Sequence, residues 1–185
     1  MRVISGIAKG TKLETLEGNE TRPTLDRVKE ALFNMLQNRI RDAYVLDLFS
    51  GSGALGIEAL SRGAKFCALC DKSNNAIRII KNNLQKTKLE EKAIVIKNEY
   101  IKALNMLKID YKFDLIFVDP PYKLDIAVSA IKSIIELNLL SEDGIIILET
   151  DDEQREQKAL EKTNVNVYDL RKYGRVKLIF LNRKG

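Results

Sequence analysis

The sequence predicts a doubly wound α/β fold built on a mostly parallel sheet. Short apolar stretches alternate with amphipathic ones from residue 44 onward, which is the order of strands and helices in such a fold. The stretch 113–118 is the clearest strand, since five of its six residues are apolar, as expected for burial on both faces of the sheet. The last two predicted strands are joined only by a short turn at Tyr173-Gly174, so one of the two must run antiparallel.

The predicted elements follow in order along the chain. A β-hairpin is expected over 1–7 and 11–16, and a helix over 25–39, where apolar residues recur at helical spacing. A hairpin of this size is not stable alone, so we expect 1–43 to be an extension that packs on a main domain at 44–185. Strands are predicted near 44–49, 65–71, 93–97, 113–119, 144–149, 164–171 and 175–182. Helices are predicted near 54–62, 73–87, 100–107, 124–137 and 152–162.

Charge and hydropathy limit the classes of function. The formal net charge is +5 and the pI is near 9.1. Arg2, Lys9 and Lys12 lie in a first dozen residues without carboxylates, and 171–185 holds six further cations and no carboxylate. These termini fit either a polyanionic partner or a solubility role. The sequence has no apolar stretch long enough for a membrane span and no secretory signal at its start, so we expect a cytoplasmic protein that does not contact membranes.

Cys67 and Cys70 form a C-x-x-C pair that we interpret as two buried thiols. The chain has no other cysteine and no histidine, so a tetrahedral zinc site would lack ligands. The pair also falls in a predicted strand, where residues three apart point to opposite faces. No metal is therefore expected.

The strand at 113–119 ends in Asp119-Pro120-Pro121-Tyr122. Prolines have no N–H to donate, so their carbonyls stand free beyond the carboxyl end of the strand, where open α/β sheets bind ligands. Asp119 and the Pro120 carbonyl can together accept both protons of a planar NH2 group, and Tyr122 offers a face for a nucleobase. Two such acceptors favour the pyramidal amine, whose lone pair can attack an electrophilic carbon. The structural alternative is an ordinary strand-to-turn exit.

The first strand leads into a glycine-rich loop that allows two interpretations. Gly51, Gly53 and Gly56 satisfy G-x-G-x-x-G, and Asp71 lies 20 residues past Gly51, which by itself would indicate a nicotinamide-dependent dehydrogenase. However, Asp47 places a carboxylate just before the loop, where it would repel a pyrophosphate but attract a cationic amine or sulfonium. Hydride transfer also has no need of the motif after the fourth strand. These features favour a different cofactor.

The sequence resembles a class I S-adenosylmethionine-dependent methyltransferase that acts on exocyclic amino groups. Two segments together carry this resemblance: Asp47-Leu48-Phe49-Ser50-Gly51-Ser52-Gly53 and Asp119-Pro120-Pro121-Tyr122. Three further segments are similar to the bacterial 16S ribosomal RNA guanine-N2 methyltransferase family. They are Thr21-Arg22-Pro23-Thr24, Arg27-Val28-Lys29-Glu30-Ala31-Leu32-Phe33-Asn34 and the stretch 53–64. This similarity runs over essentially the whole chain. The segment 21–24 separates the family from other amino-methylating relatives.

The resemblance implies a seven-stranded sheet whose last strand is inserted antiparallel. It further implies S-adenosylmethionine as cofactor, with the methionine part held by the loop and the ribose by Asp71. Glu99 takes the position that faces the adenine amine, although the family more usually has Asp or Asn there. The implied cofactor-binding residues are Asp47, Phe49, Gly51, Gly53, Asp71, Lys72 and Glu99, and the implied catalytic residues are Asp119, Pro120 and Tyr122.

The expected partner is small-subunit ribosomal RNA or an assembling small subunit, bound by a protein that we expect to be monomeric. The predicted RNA-contacting residues are Arg2, Lys9, Lys12 and Arg22, and the C-terminal cations are a second candidate surface. Because an NH2 group in paired RNA is inaccessible, the target base must lie in a loop or be flipped out. Two alternatives stay open: an amino-methyltransferase for DNA adenine, DNA cytosine or protein glutamine, and a non-catalytic cofactor-binding RNA assembly factor.

Overall fold

The computed structural model describes residues 1–16, 23–120 and 126–184, with the backbone alone for 23–25. The helices are α1 (Pro23–Met35), α2 (Gln37–Ile40), α3 (Ala54–Ser61), α4 (Asn74–Thr87), α5 (Tyr100–Leu107), α6 (Ala127–Glu136) and α7 (Glu153–Leu160). The strands are β1 (Tyr44–Asp47), β2 (Phe66–Asp71), β3 (Ala93–Lys97), β4 (Phe113–Val118), β5 (Leu140–Thr150), β6 (Val165–Tyr173) and β7 (Val176–Arg183). A 3₁₀ turn, Glu90–Lys92, precedes β3.

The strands form one seven-stranded sheet in the order β3-β2-β1-β4-β5-β7-β6. The pairs that join β3, β2, β1, β4 and β5 are parallel, whereas β7 is antiparallel to both of its neighbours. The strand order reverses beside β1, so the carboxyl ends of β1 and β4 flank a crevice of the kind in which open α/β sheets bind ligands. This confirms the predicted fold class, including the antiparallel last strand.

Apolar side chains bury both faces of the sheet. Leu115 and Phe117 pack with α1, α3 and α4 on one face, and Ile116 and Val118 pack with α5, α6 and α7 on the other. This explains why the strand at 113–118 is apolar almost throughout rather than alternating. Cys67 and Cys70 are both fully buried, one in each of these two layers, which confirms that they are buried thiols on opposite faces.

Two local predictions differ from the structure. The helix expected over 25–39 is divided at Leu36, where the Arg39 N–H bonds to the Leu36 carbonyl over three residues instead of four. Leu36 and Ile40, at the two ends of this short turn, are both buried in the core. The N-terminal segment has one antiparallel bridge, between Arg2 and Lys12, rather than two continuous strands. Several of its other backbone N–H groups bond to side chains of α3 and α4 instead.

Candidate active site

The carboxyl ends of three neighbouring strands each carry a carboxylate. Asp71 ends β2, Asp47 ends β1, and Asp119 directly follows β4. The parallel register pairs Asp47 with Leu69 on one side and with Phe117 on the other, so the three carboxylates lie along one edge of the sheet. The sequence prediction that they share a site is therefore consistent with the topology.

The glycine loop turns sharply between Asp47 and α3. Gly51 and Gly53 have φ angles of 54° and 78°, a left-handed conformation that glycine adopts without a side-chain clash. A Cβ on Gly53 would come within 3.1 Å of Leu69 and 3.3 Å of Ile57. The Gly53 N–H bonds to the Ser50 carbonyl at 2.7 Å. The loop thus needs its glycines both for its turn and for close packing beneath it.

Gly56, the third glycine of the motif, has a structural role. A Cβ there would lie 2.8 Å from the Cys67 sulfur and 2.9 Å from a Leu69 methyl group, so glycine lets α3 lie close against β2. This accounts for the literal G-x-G-x-x-G pattern without a pyrophosphate ligand.

Asp71 connects the end of β2 to the loop. One of its carboxylate oxygens accepts the Gly51 N–H at 3.0 Å, and the other accepts the Ser73 N–H at 2.8 Å. Each carboxylate oxygen has two lone pairs, so both can accept a further hydrogen bond from ligand hydroxyls. The predicted ribose-binding residue is therefore held in one orientation beside the loop.

Asp47 is almost fully buried below the loop. Its carboxylate accepts the Gly56 N–H at 3.0 Å, and the Ser50 hydroxyl donates to its backbone carbonyl at 2.7 Å. Burial raises the pKa of Asp47 to about 7, the negative charge of Asp71 adds to the rise, and the Gly56 and Ser50 hydrogen bonds oppose it. The structure therefore gives Asp47 a second role beyond the predicted ligand contact, since it fixes the first turn of α3.

The remaining predicted cofactor residues lie along the rim of this edge. Lys72 and Glu99 form an ion pair at 3.4 Å, and both side chains are well exposed. Phe49 and Tyr100 lie in tilted contact, with ring centroids 5.9 Å apart. The structure thus brings Lys72 and Glu99 together, whereas the sequence analysis predicted them as separate cofactor contacts.

Asp119 is half-buried beyond β4, and Pro120 after it is buried. Burial raises the pKa of Asp119 well above its ordinary value, and the charges of Glu149 and Asp47 raise it further. Glu149 was not among the predicted site residues. Val118 pairs with Leu148, which places Glu149 at the neighbouring strand end, and a carboxylate at the end of the strand predicted at 144–149 was the signal that could have identified it. Pro121 and Tyr122 lie outside the described residues.

Three of the predicted RNA-contacting residues lie on the N-terminal hairpin, residues 1–13. Arg2 and Lys12 are bridge partners, so they project from the same side, and both are exposed, as is Lys9 in the turn. Within the described ranges none of the three forms an ion pair. Ile7 at the tip is 77% exposed. Arg22 lies outside the described residues.

The C-terminal cations are held mostly by contacts within the protein. Arg171 binds Asp169, Lys172 and Lys177 pair with Glu153, Arg183 donates to Asn138, and Lys184 donates to the Thr163 carbonyl. Because these side chains already have partners, they have less freedom to bind phosphates than those of the hairpin. The cations of the hairpin are thus the less constrained of the two sets.

Glu58 anchors the hairpin, a role that the sequence analysis did not predict. Its carboxylate is fully buried in α3 and accepts the backbone N–H groups of Ile4 and Ser5 at 2.8 and 3.0 Å. It also pairs with Lys29 at 3.2 Å and Arg62 at 2.8 Å. A carboxylate within the apolar stretch Ala54–Leu60 was the signal that could have indicated a buried, partnered acid.

The sheet order, the glycine loop after β1 and the acidic strand ends define a class I methyltransferase, the class of enzymes that uses S-adenosylmethionine. This confirms the predicted cofactor. Residues 1–182 match the family Cons_hypoth95, described as Conserved hypothetical protein 95. The chain belongs to this family, which confirms the family resemblance.

Named relatives agree with this assignment. The chain is 45% identical to Bacillus subtilis YlbH, over 83% of this chain and 84% of YlbH. It is 40% identical to Ribosomal RNA small subunit methyltransferase D of Haemophilus influenzae, over 82% of this chain and 79% of that protein. The solved structure of Escherichia coli yhhF superposes with a TM-score of 0.85 at 32% identity, covering 100% of this chain and 98% of its own. Among the described residues, no helix is both long and apolar enough to cross a membrane.

Proposed function

We propose that the protein transfers a methyl group from S-adenosylmethionine to the exocyclic N2 of a guanine in 16S ribosomal RNA. The observation that carries the proposal is the position of Asp119 and Pro120: they follow β4 at the sheet edge where the neighbouring strand β1 enters the glycine loop. An acceptor pair for an amino group thus lies next to a loop suited to a cofactor. The RNA class comes from relatives such as Ribosomal RNA small subunit methyltransferase D.

The residues present fit the cofactor. When bound, S-adenosylmethionine supplies an electrophilic methyl group on a positively charged sulfur. The left-handed glycines let a ligand approach the loop backbone closely, and Asp71 keeps lone pairs for ribose hydroxyls. Asp47 adds negative charge below the loop, which favours a cationic ligand. Lys72 and Glu99 on the rim are our candidates for the adenine contacts.

S-adenosylmethionine held at the loop would supply the methyl carbon for the new bond to N2, and its sulfur would keep the electron pair of the broken sulfur–carbon bond. Asp119 and the Pro120 carbonyl hold the two N2 protons, which localises the lone pair on nitrogen. The nitrogen then gives up one proton. Asp119 is the acceptor we assign, because its raised pKa makes it a better base than an exposed aspartate. Tyr122 is our candidate for stacking on the guanine.

The test is methyl-labelled S-adenosylmethionine with unmethylated small subunits, naked small-subunit RNA or DNA, followed by nucleoside analysis. We expect label in N2-methylguanosine and a loss of about 10²- to 10³-fold in rate for Asp119→Ala, the usual cost of one well-placed acceptor. Cofactor binding should be largely retained in this variant. Asp143→Ala is the matched control, since Asp143 is an exposed carboxylate near the other end of β5.

Each alternative gives a different result in the same assay. Label in adenine or cytosine would keep the role of Asp119 but replace the substrate. Cofactor binding without any label would indicate a protein substrate or a non-catalytic assembly factor. A near-normal rate for Asp119→Ala would exclude the assigned role of this residue.

A further inference from the structure

Asn83, on α4, joins two segments that are distant in sequence. Its side chain is fully buried, and its oxygen accepts the Glu14 N–H at 2.8 Å. Its amide nitrogen donates to the Glu14 carbonyl at 3.0 Å and to the Ser52 carbonyl at 2.9 Å. Glu14 directly follows the hairpin, and Ser52 lies between the two left-handed glycines of the loop. One planar amide therefore sets the distance between the hairpin segment and the cofactor loop.

Further contacts hold residues 14–16 in the same place. The Glu14 carboxylate accepts from Asn82 at 3.1 Å and from Lys86 at 2.7 Å, both on α4. The Leu16 side chain lies 3.7 Å from the position a Cβ would take on Gly51, so it covers this glycine of the loop. Polar and apolar contacts thus independently place residues 14–16 against the loop.

The other side of the hairpin is fixed to α3, the helix that begins at the loop. The Ile7 N–H bonds to the Ser61 carbonyl at 2.8 Å, and the Ala8 N–H bonds to the Ser61 hydroxyl at 3.0 Å. The hairpin is therefore bound at both ends to elements that adjoin the loop. A displacement of Ser52 must either move Glu14 or break a buried hydrogen bond, which leaves a buried polar group unpaired.

From these contacts we infer that Asn83 is a positioning residue that couples cofactor binding to the RNA-binding hairpin. The inference rests on the proposed function for the identity of the two ligands. A ligand that fixes the loop also fixes Glu14, and through it the hairpin that carries Arg2, Lys9 and Lys12. Coupling of binding free energies is reciprocal, so RNA on the hairpin must tighten cofactor binding by the same factor.

The first measurement needs no RNA and no catalysis. Hydrogen exchange of the amides in residues 1–16 is compared with and without saturating S-adenosylhomocysteine, whose binding is established separately by calorimetry. We expect slower exchange in the wild-type hairpin when the ligand is bound. Asn83→Leu should lose this protection because it removes all three hydrogen bonds. Asn82→Leu is the matched control, since it removes only a bond to the Glu14 side chain, and it should keep the protection.

The second measurement determines the RNA dissociation constant with and without S-adenosylhomocysteine. We expect the ligand to tighten wild-type binding by about 5- to 150-fold, the common range for coupled sites, and to leave Asn83→Leu unchanged within about twofold. If Asn83→Leu fails to fold, Asn83→Asp replaces it, since it keeps the acceptor for the Glu14 N–H and loses the bonds donated to the Glu14 and Ser52 carbonyls. That variant should show a coupling factor between 1 and the wild-type value.

The results separate this inference from the proposed function. Ligand binding without protection of residues 1–16, or full coupling in Asn83→Leu or Asn83→Asp, would overturn the inference alone. Protection of the hairpin in a protein that transfers no methyl group to RNA would support the coupling and refute the proposed function. Absence of S-adenosylhomocysteine binding would refute both.

Discussion

We expect Asp47 to make cofactor binding dependent on pH. Burial raises its pKa to about 7, so the carboxyl group is roughly one-tenth ionised at pH 6 and nine-tenths ionised at pH 8. A cationic ligand favours the ionised form. If binding requires the carboxylate, affinity for S-adenosylmethionine should rise about tenfold between pH 6 and pH 8, or about 1.4 kcal/mol. Asp47→Asn cannot ionise and should lose this rise.

The assay is isothermal titration at several pH values with S-adenosylmethionine, for the wild type, Asp47→Asn and Asp143→Asn. The amino group of the ligand also titrates, but it does so equally with all three proteins, so the difference between the profiles isolates Asp47. Asp143→Asn controls for the removal of an exposed carboxylate and should follow the wild type. Parallel profiles for the wild type and Asp47→Asn would refute the reasoning.

The same group affects the stability of the free protein in the opposite direction. The folded pKa lies above the unfolded value of 3.8, so the folded state binds the extra proton between these two values. The contribution of Asp47 to the free energy of unfolding is therefore complete below about pH 4 and is lost as pH rises through about 7. The loss is at most about 4 kcal/mol, from about 1.4 kcal/mol for each pKa unit. Asp47→Asn should remove this loss in urea unfolding at pH 5 and pH 8, and an unchanged difference between the two pH values would contradict the assignment.

Four further outcomes are expected. Glu58→Gln should lower the free energy of unfolding, measured in urea, by about 3–5 kcal/mol, because it leaves Lys29 charged and buried without its partner. Adding Lys29→Met should recover part of this loss, and additive effects of the two substitutions would contradict the pairing. Lys9→Ala and Lys12→Ala should each weaken RNA binding across sequences and reduce the salt slope by about 1, whereas the control Lys172→Ala, whose partner is Glu153, should not. Gly53→Ala should lower the melting temperature, because alanine meets both a left-handed φ and a contact at 3.1 Å; an unchanged melting temperature would show that the loop can relax. Methylation should accelerate with rising pH in the range where Asp119 ionises, since its raised pKa leaves it partly protonated below that range; a pH–rate profile that is the same for Asp119→Ala would exclude Asp119 as the titrating group.

Much of this molecule could be predicted from the sequence because its local patterns agree with its topology. The apolar stretch 113–118 identified the central strand, and the tight connection at Tyr173-Gly174 identified the antiparallel pair. The carboxylates at the ends of β1, β2 and β4 could be grouped because parallel strands present their carboxyl ends at one edge. These features depend on short-range sequence and on a general rule of sheet topology.

The contacts that position the N-terminal segment could not be predicted in this way. Glu58 and Asn83 bind segments that lie 54 and 69 residues away in sequence. The residues next to Glu58 and Asn83 in the sequence do not indicate these partners. The hairpin was expected to form a regular ladder, but several of its N–H groups bond to Glu58 and Ser61 instead. The pairing of Lys72 with Glu99 across two loops has the same origin, because it depends on how β2 and β3 lie side by side.

The dependence of the hairpin on Glu58 and Asn83 also affects the order in which parts of the chain fold during synthesis. At about 5–20 residues per second, the ribosome adds Asn83 about 3–14 s after Glu14. During that interval the N-terminal segment lacks the side-chain amide that binds the Glu14 backbone. The first part of the chain to be synthesised therefore cannot take its final position until α3 and α4 have been made, since Glu58 and Asn83 lie on these helices.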